Sequence, residues 1–213
     1  MSTDTTARPW VPEDPTVPRL AEAAQECRGC ELWEDATQVV FSTGGERARL
    51  ALVGEQPGDR EDQAGQPFVG PAGGVLDRAL EEAGIDRGAV YLTNAVKHFR
   101  HEQRGKRRIH QKPDLRHLVA CGPWLEAELS VVDPDVVVCL GATAARAVLG
   151  RAVKIGAERG TVHDDVAGRA TLVTTHPSAL LRLRGRGGYD EAFAAFVADL
   201  RTAARAADEA KEH

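Results

Sequence analysis

The sequence predicts an α/β protein, a three-layer α/β/α sandwich around a central, mostly parallel four-stranded sheet. Three observations predict it. Short apolar runs of strand length stop at glycine or at a polar residue: Arg49-Leu50-Ala51-Leu52-Val53-Gly54, Val136-Val137-Val138-Cys139-Leu140-Gly141 and Thr171-Leu172-Val173-Thr174-Thr175. Runs with no polar alternation are what strands covered on both faces require. Helical periodicities stand between these runs, as crossover-connected parallel strands demand. Finally, 213 residues at 42% hydrophobic content suffice for one domain with a full core and are too few for two.

In chain order, residues 1–18 carry Pro9, Pro12, Pro15 and Pro18 among polar residues, which predicts an irregular arm ahead of a single domain over 19–210. Residues 20–27 are alanine-rich with helical spacing and run into Cys27-Arg28-Gly29-Cys30, where glycine permits a tight turn. After the first strand, residues 74–83 read as a helix closed by Gly84, and Tyr91-Leu92-Thr93-Asn94 as a further strand. Residues 95–113 form a long basic loop, far beyond ordinary connections of roughly 2 to 6 residues, which favours a functional role. Residues 114–129 and 142–149 supply helices. A last amphipathic helix near 190–210 carries Phe193, Phe196, Val197 and Leu200 on one face.

The formal charge of -5 excludes a uniformly basic nucleic-acid coat. Charge is nevertheless uneven: Lys97, Arg100, Arg104, Lys106, Arg107, Arg108, Lys112 and Arg116 face only Glu102 and Asp114 across the same stretch, a local patch suited to a phosphate backbone. No secretory signal is evident and no apolar run approaches the roughly 20 residues that cross a bilayer. A cytoplasmic protein without a membrane partner is therefore expected. Nothing in the pattern calls for a second subunit, so a monomer is expected too. In that compartment the four cysteines, Cys27, Cys30, Cys121 and Cys139, stay reduced, and metal ligation is a better reading than disulfides. Cys139 sits inside an apolar strand and reads as a small buried hydrophobe.

Ligands of open parallel sheets bind beyond the carboxyl ends of the strands, and the unusual residues gather there. Gly54-Glu55-Gln56-Pro57-Gly58-Asp59 follows one strand, Asn94 and the basic loop another, and His176-Pro177-Ser178 the last. Together with Gln66-Pro67-Phe68-Val69-Gly70-Pro71-Ala72-Gly73, these segments resemble the uracil-DNA glycosylase superfamily over roughly residues 20–205, especially its iron–sulfur branch. Lys106-Arg107-Arg108-Ile109-His110 resembles the arginine-rich insertion of the UdgX-type members, whose loop histidine becomes covalently attached to DNA.

The resemblance implies a partner, uracil-containing DNA, single- or double-stranded, with the protein on the nucleoid when bound. It also implies a 4Fe–4S cluster held by Cys27, Cys30, His98 and Cys121. His98 stands where the branch more often has cysteine, and imidazole replaces thiolate in mixed-ligand clusters. Ligand types alone equally permit tetrahedral zinc, which would make the chain a non-catalytic nucleic-acid-binding module.

The chemistry requires an extruded base, a reader of its edge and an acceptor for the leaving charge. Phe68 offers a stacking face, against plain core packing as the alternative. Asn94 offers a donor and an acceptor for the pyrimidine edge, or is a strand-end turn residue. His176 offers a hydrogen bond to the departing uracil oxygen, or caps a turn. Gln56 and Asp59 would bond the base or a water, Arg107 and Arg182 the DNA backbone or minor groove. The resemblance makes His110 the nucleophile, with Glu55 orienting the ring through its other nitrogen and stabilising the charge that develops. A turnover enzyme using water held by Glu55 or Gln56 remains the alternative within the family.

Overall fold

The structure, a computed structural model, describes residues 6–165 and 167–210. Among these residues eight strands occur, β1 (Ser42–Thr43), β2 (Leu50–Gly54), β3 (Val90–Asn94), β4 (His101–Arg104), β5 (Arg107–His110), β6 (Val136–Leu140), β7 (Val162–Asp164) and β8 (Ala170–Thr174). The α-helices among them are α1 (Val17–Ala24), α2 (Asp59–Ala64), α3 (Pro71–Ala83), α4 (Leu115–Val132), α5 (Ala142–Leu149), α6 (Ile155–Glu158), α7 (Pro177–Leu181) and α8 (Tyr189–Ala210).

One sheet runs in the order β1-β3-β2-β6-β8-β7. Its centre, β3-β2-β6-β8, is parallel and consists of the four strands expected from sequence. The short strands β1 and β7 extend the two edges antiparallel. Neither was expected, because runs of two and three residues carry too little apolar pattern to register.

The strand period of two distributes the core. In β2, Ala51 and Val53 face a layer containing Leu20, Trp124 and Ala145, while Leu50 and Leu52 face a layer containing Leu76, Leu80, Phe193 and Phe196. Helices α1, α4 and α5 thus cover one face and α3 and α8 the other, giving the three layers. Phe196 and Leu52 are at 0% exposure, and each such side chain contributes roughly 1.5–3 kcal/mol of burial. Cys139 is likewise at 0% and belongs to this packing.

Ahead of α1, the Ala7 amide donates to the Ala120 carbonyl at 2.8 Å and Ala7 is buried, which seats the start of the described chain against α4. The expected helix at 20–27 lies at Val17–Ala24, so Cys27 falls beyond its end. Pro18 fits in its first turn, where a missing amide costs nothing.

The stretch expected as a loop, 95–113, contains the hairpin β4–β5, paired from His101↔His110 to Arg104↔Arg107 and turned at Gly105 with φ 60°. Its strands are almost wholly polar, so hydrophobic alternation could not announce them. The parallel register leaves Gly54 beside Asn94 and Leu140 beside Thr174, and the chains leaving those ends open a cleft above the sheet.

Candidate active site and cysteine cavity

The cleft measures about 860 Å³ and is lined by Glu55, Gln56, Asp59, Phe68, Asn94, His110, His176 and Arg182, together with Arg60, Lys112 and Thr143. Eight of the nine cleft residues expected from sequence therefore meet here. The ninth, Arg107, does not. Alternation along β5 sends Arg108 inward instead, where Nε donates to Asp59 Oδ1 and Nη1 to Asp62 Oδ2, each at 2.6 Å. Arg107 is left exposed near the hairpin turn.

The same pairing thins the expected basic patch. Lys97 is 1% exposed and ion-paired with Glu128, Arg100 pairs with Asp114, Arg104 with Glu102 and Arg116 with Glu31. Of that group, Lys106, Arg107 and Lys112 have no acidic partner among the described residues, and of these Lys112 lines the cleft.

The floor is built for close approach. A Cβ at Gly54 would lie 2.3 Å from Asn94 Oδ1 and 2.7 Å from Phe68 Cζ, so only glycine lets both side chains meet over the strand end. Asn94 is 3% exposed, and among the described residues its side-chain amide bonds no protein group, leaving donor and acceptor turned to the cleft. Phe68 adopts φ 58°, a backbone region that phenylalanine rarely enters. Such strain persists where surroundings impose it, and it concentrates at functional sites. Here Gly73 permits it: a Cβ on Gly73 would sit 1.8 Å from the Phe68 carbonyl oxygen. Glu61 staples the two flanking loops, accepting from the Gly58 amide at 3.1 Å and the Gly70 amide at 2.8 Å.

Two histidines face the cleft. His176 Nδ1 accepts from the Ser178 amide at 3.1 Å, so the neutral ring carries its proton on Nε2. Burial, then His110 and Arg182, push its pKa down to about 4, keeping it neutral. His176 thus caps α7, the second of the roles weighed from sequence, and lines the cleft as an uncharged ring.

His110 ends β5 and is half exposed. Its Nε2 lies 3.0 Å from Gln56 Nε2. The Gln56 amide orientation is fixed because Oε1 accepts from the Arg100 amide at 3.2 Å while Nε2 donates to the Gln111 carbonyl at 3.0 Å. Gln56 Nε2 also lies 3.2 Å from the Arg100 carbonyl, so its two protons face three acceptors, and the His110 tautomer that accepts from it carries the ring proton on Nδ1. Burial holds the His110 pKa below the ordinary histidine value, with Glu55 opposing and Arg182 adding to the shift.

Glu55 Oε1 lies 3.7 Å from this same Nε2. The expectation that Glu55 grips the ring through its other nitrogen is therefore corrected: the carboxylate faces Nε2 at ion-pair distance. Gln56 and Asp59 carry intramolecular bonds as well. Both line the cleft, but the Gln56 amide ties the hairpin base to the loop after β2, and Asp59 takes up Arg108. Arg182 makes one long contact to Ser178 Oγ at 3.4 Å and otherwise faces the opening. Unread in the sequence were Glu61, Asp62 and Thr143, whose hydroxyl donates to Glu55 Oε2. Lys97 also escaped, its buried ammonium holding the Asn94 carbonyl at 2.9 Å.

On the side of the sheet under α4, Cys27, Cys30, His98 and Cys121 line one small cavity of about 10 Å³. Trp124 Nε1 donates to Cys27 Sγ and the Lys97 amide to Cys121 Sγ, each at 3.3 Å. Burial pushes the Cys121 thiol up to about 12 and His98 down to about 4, so an imidazole lone pair is available there. Among the described residues no three such side chains converge on a single-ion site.

The protein is an α/β sandwich whose strand-end cleft is floored by an aromatic face and a free amide and flanked by two histidines. The chain belongs to the uracil-DNA glycosylase superfamily, whose family model matches residues 41–201. It is similar to a type-4 uracil-DNA glycosylase of Thermotoga maritima, 39% identical over 166 residues that cover 78% of this chain and 83% of the relative. A type-4 uracil-DNA glycosylase of Pyrobaculum aerophilum is 34% identical over 177 residues, covering 78% and 87%. Among the described residues no helix is long and apolar enough to cross a membrane.

Proposed function

We propose that the protein is a uracil-DNA glycosylase that excises uracil from DNA and becomes joined through His110 to the sugar it exposes. The observation that carries this reading is the place of His110 at the cleft edge, its Nε2 3.0 Å from Gln56 Nε2 and 3.7 Å from Glu55 Oε1. Type-4 relatives supply the substrate class.

The bookkeeping balances without an added reactant. The extruded uracil stacks on Phe68 and pairs its edge with the Asn94 amide. As the bond from C1′ to uracil N1 breaks, its electron pair leaves with the base, and His176 Nε2–H bonds the oxygen that gains charge. Such a preorganised donor is worth roughly 10²–10³ in rate. The His110 lone pair then bonds C1′. The ring becomes a cation protonated at Nδ1, which the Glu55 carboxylate stabilises. Loss of the Nδ1 proton to solvent leaves a neutral N-alkyl imidazole, a poor leaving group, so the adduct persists and each molecule acts once. Arg60, Lys112 and Arg182 at the opening meet the flanking phosphates.

The cysteine cavity is the proposed seat of the 4Fe–4S cluster. Its donor set fits: three thiols and one neutral imidazole line one small cavity, with N–H donors already directed at two sulfurs. The cluster would tie the chain before β1 to α4 and to the segment after β3, far from the reacting bond, as a structural staple. The protein acts as a monomer in the cytoplasm on uracil-containing DNA.

A labelled uracil-containing oligonucleotide, mixed with protein and denatured in detergent, tests the reading. Slow-migrating DNA that needs both uracil and His110 is expected. Repeated release of uracil with no such species would favour hydrolysis by water.

A further inference from the structure

Glu55 has two carboxylate oxygens, and the proposed chemistry needs one of them aimed at His110. Oε1 is that oxygen, 3.7 Å from Nε2. The other, Oε2, accepts a hydrogen bond from Thr143 Oγ1. Thr143 is 6% exposed and stands second in α5, between the cleft and the core residues Ala144 and Ala145 at 0%. Its backbone is packed in that layer, and a β-branched side chain in a helix has few rotamers. Gly141, at φ 92°, makes the turn that starts this helix close beside His176. The hydroxyl is thus a fixed donor supplied by the rigid sheet layer, whereas Glu55 follows the end of β2 in a loop.

We propose that Thr143 is a positioning residue for the glycosylase reaction: by holding Glu55 Oε2 it directs Oε1 at His110 and keeps the carboxylate from turning to bulk water. The inference rests on the His110 reading and extends it to a third group, a Thr143–Glu55–His110 chain. With the hydroxyl gone, Oε2 seeks water, Oε1 leaves its post and the imidazolium forms without its counter-charge. Water then competes better for C1′, and part of the cleaved DNA ends as an unattached abasic site.

The test compares Thr143→Val, which keeps shape and loses the donor, with Thr143→Ser, which keeps the donor. Single-turnover reactions on uracil-containing oligonucleotide are resolved into adduct and free abasic DNA, with thermal midpoints recorded for each protein. Loss of a charge-assisted hydrogen bond slows adduct formation in Thr143→Val by roughly ten- to a hundredfold. The free abasic share rises, Thr143→Ser reacts near the wild-type rate, and Thr143→Val adds nothing when Glu55 is already glutamine. Equal slowing in the valine and serine variants, or a valine variant at the wild-type rate and product ratio, overturns the proposal. A wild-type lane without adduct overturns the His110 reading itself, and with it this extension, before any variant is compared.

Discussion

The two histidines of the cleft are held by opposite means. His176 leaves the central sheet after β8, caps a helix through Nδ1 and owes its neutrality chiefly to burial. His110 ends a polar hairpin outside the sheet, half exposed, and is kept in place by an amide, two ion pairs and a carboxylate. The first is part of the scaffold and the second is an attachment to it. A leaving-group donor must stay still and can be built into the fold. A nucleophile must travel toward the carbon it attacks, and polar tethers around a hairpin allow that movement.

Five variants sharpen the contrast, taken from the largest expected effect. His110→Ala abolishes the detergent-stable adduct, and any remaining uracil release proceeds through water, as denaturing gels and free-uracil assays will show. His176→Ala acts on bond cleavage itself and lowers single-turnover cleavage by roughly 10²–10³, the worth of one preorganised donor. If instead His176→Ala changed only the fate of the cleaved sugar, the division of labour would collapse.

Arg108→Ala comes third. It strips the partner from Asp62, which is at 0% exposure, and opens the hairpin. Breaking a buried pair costs roughly 3–5 kcal/mol, and partial exposure of Arg108 brings this to about 2 kcal/mol, with slower adduct formation. Arg107→Ala leaves stability within about 0.5 kcal/mol. Thermal unfolding of the two variants checks the inward and outward assignments.

The smallest effect concerns pH. The nucleophile must be neutral, and His110 lies below the ordinary histidine value near 6.5, so the adduct rate is flat at neutral pH. It declines only as acid protonates the ring below that value. Arg182 adds to the lowering at both histidines. Arg182→Gln therefore moves the acid limb upward by less than about one pH unit, and added salt, which screens Arg182, shrinks the difference. A downward shift would contradict the electrostatic account.

The strands and the cleft were legible in the sequence because both rest on strong local patterns: unbroken apolar runs, and polar residues punctuated by glycine and proline at their ends. What escaped depended on direction. Arg107 and Arg108 are adjacent and chemically identical, and only the pleat of β5 separates a surface cation from the one that binds Asp59 and Asp62. Lys97 lies in a basic stretch and looks like part of a solvated patch, yet pairs with a glutamate 31 positions away. Gln56 has the composition of a base reader, and its role as tether follows only once β4 and β5 fold back across it. Thr143 is one hydroxyl in an alanine-rich helix start, with no pattern to mark it.

The central claim is a bond between His110 and the sugar, and mass spectrometry of the digested adduct reads that bond directly. After nuclease trimming, the account predicts a deoxyribose-phosphate increment, without uracil, on the peptide containing residues 109–111, and fragment ions placing it on the His110 imidazole. An increment on Lys112 or another side chain, or an unmodified His110 peptide from protein that has cleaved its substrate, would contradict it.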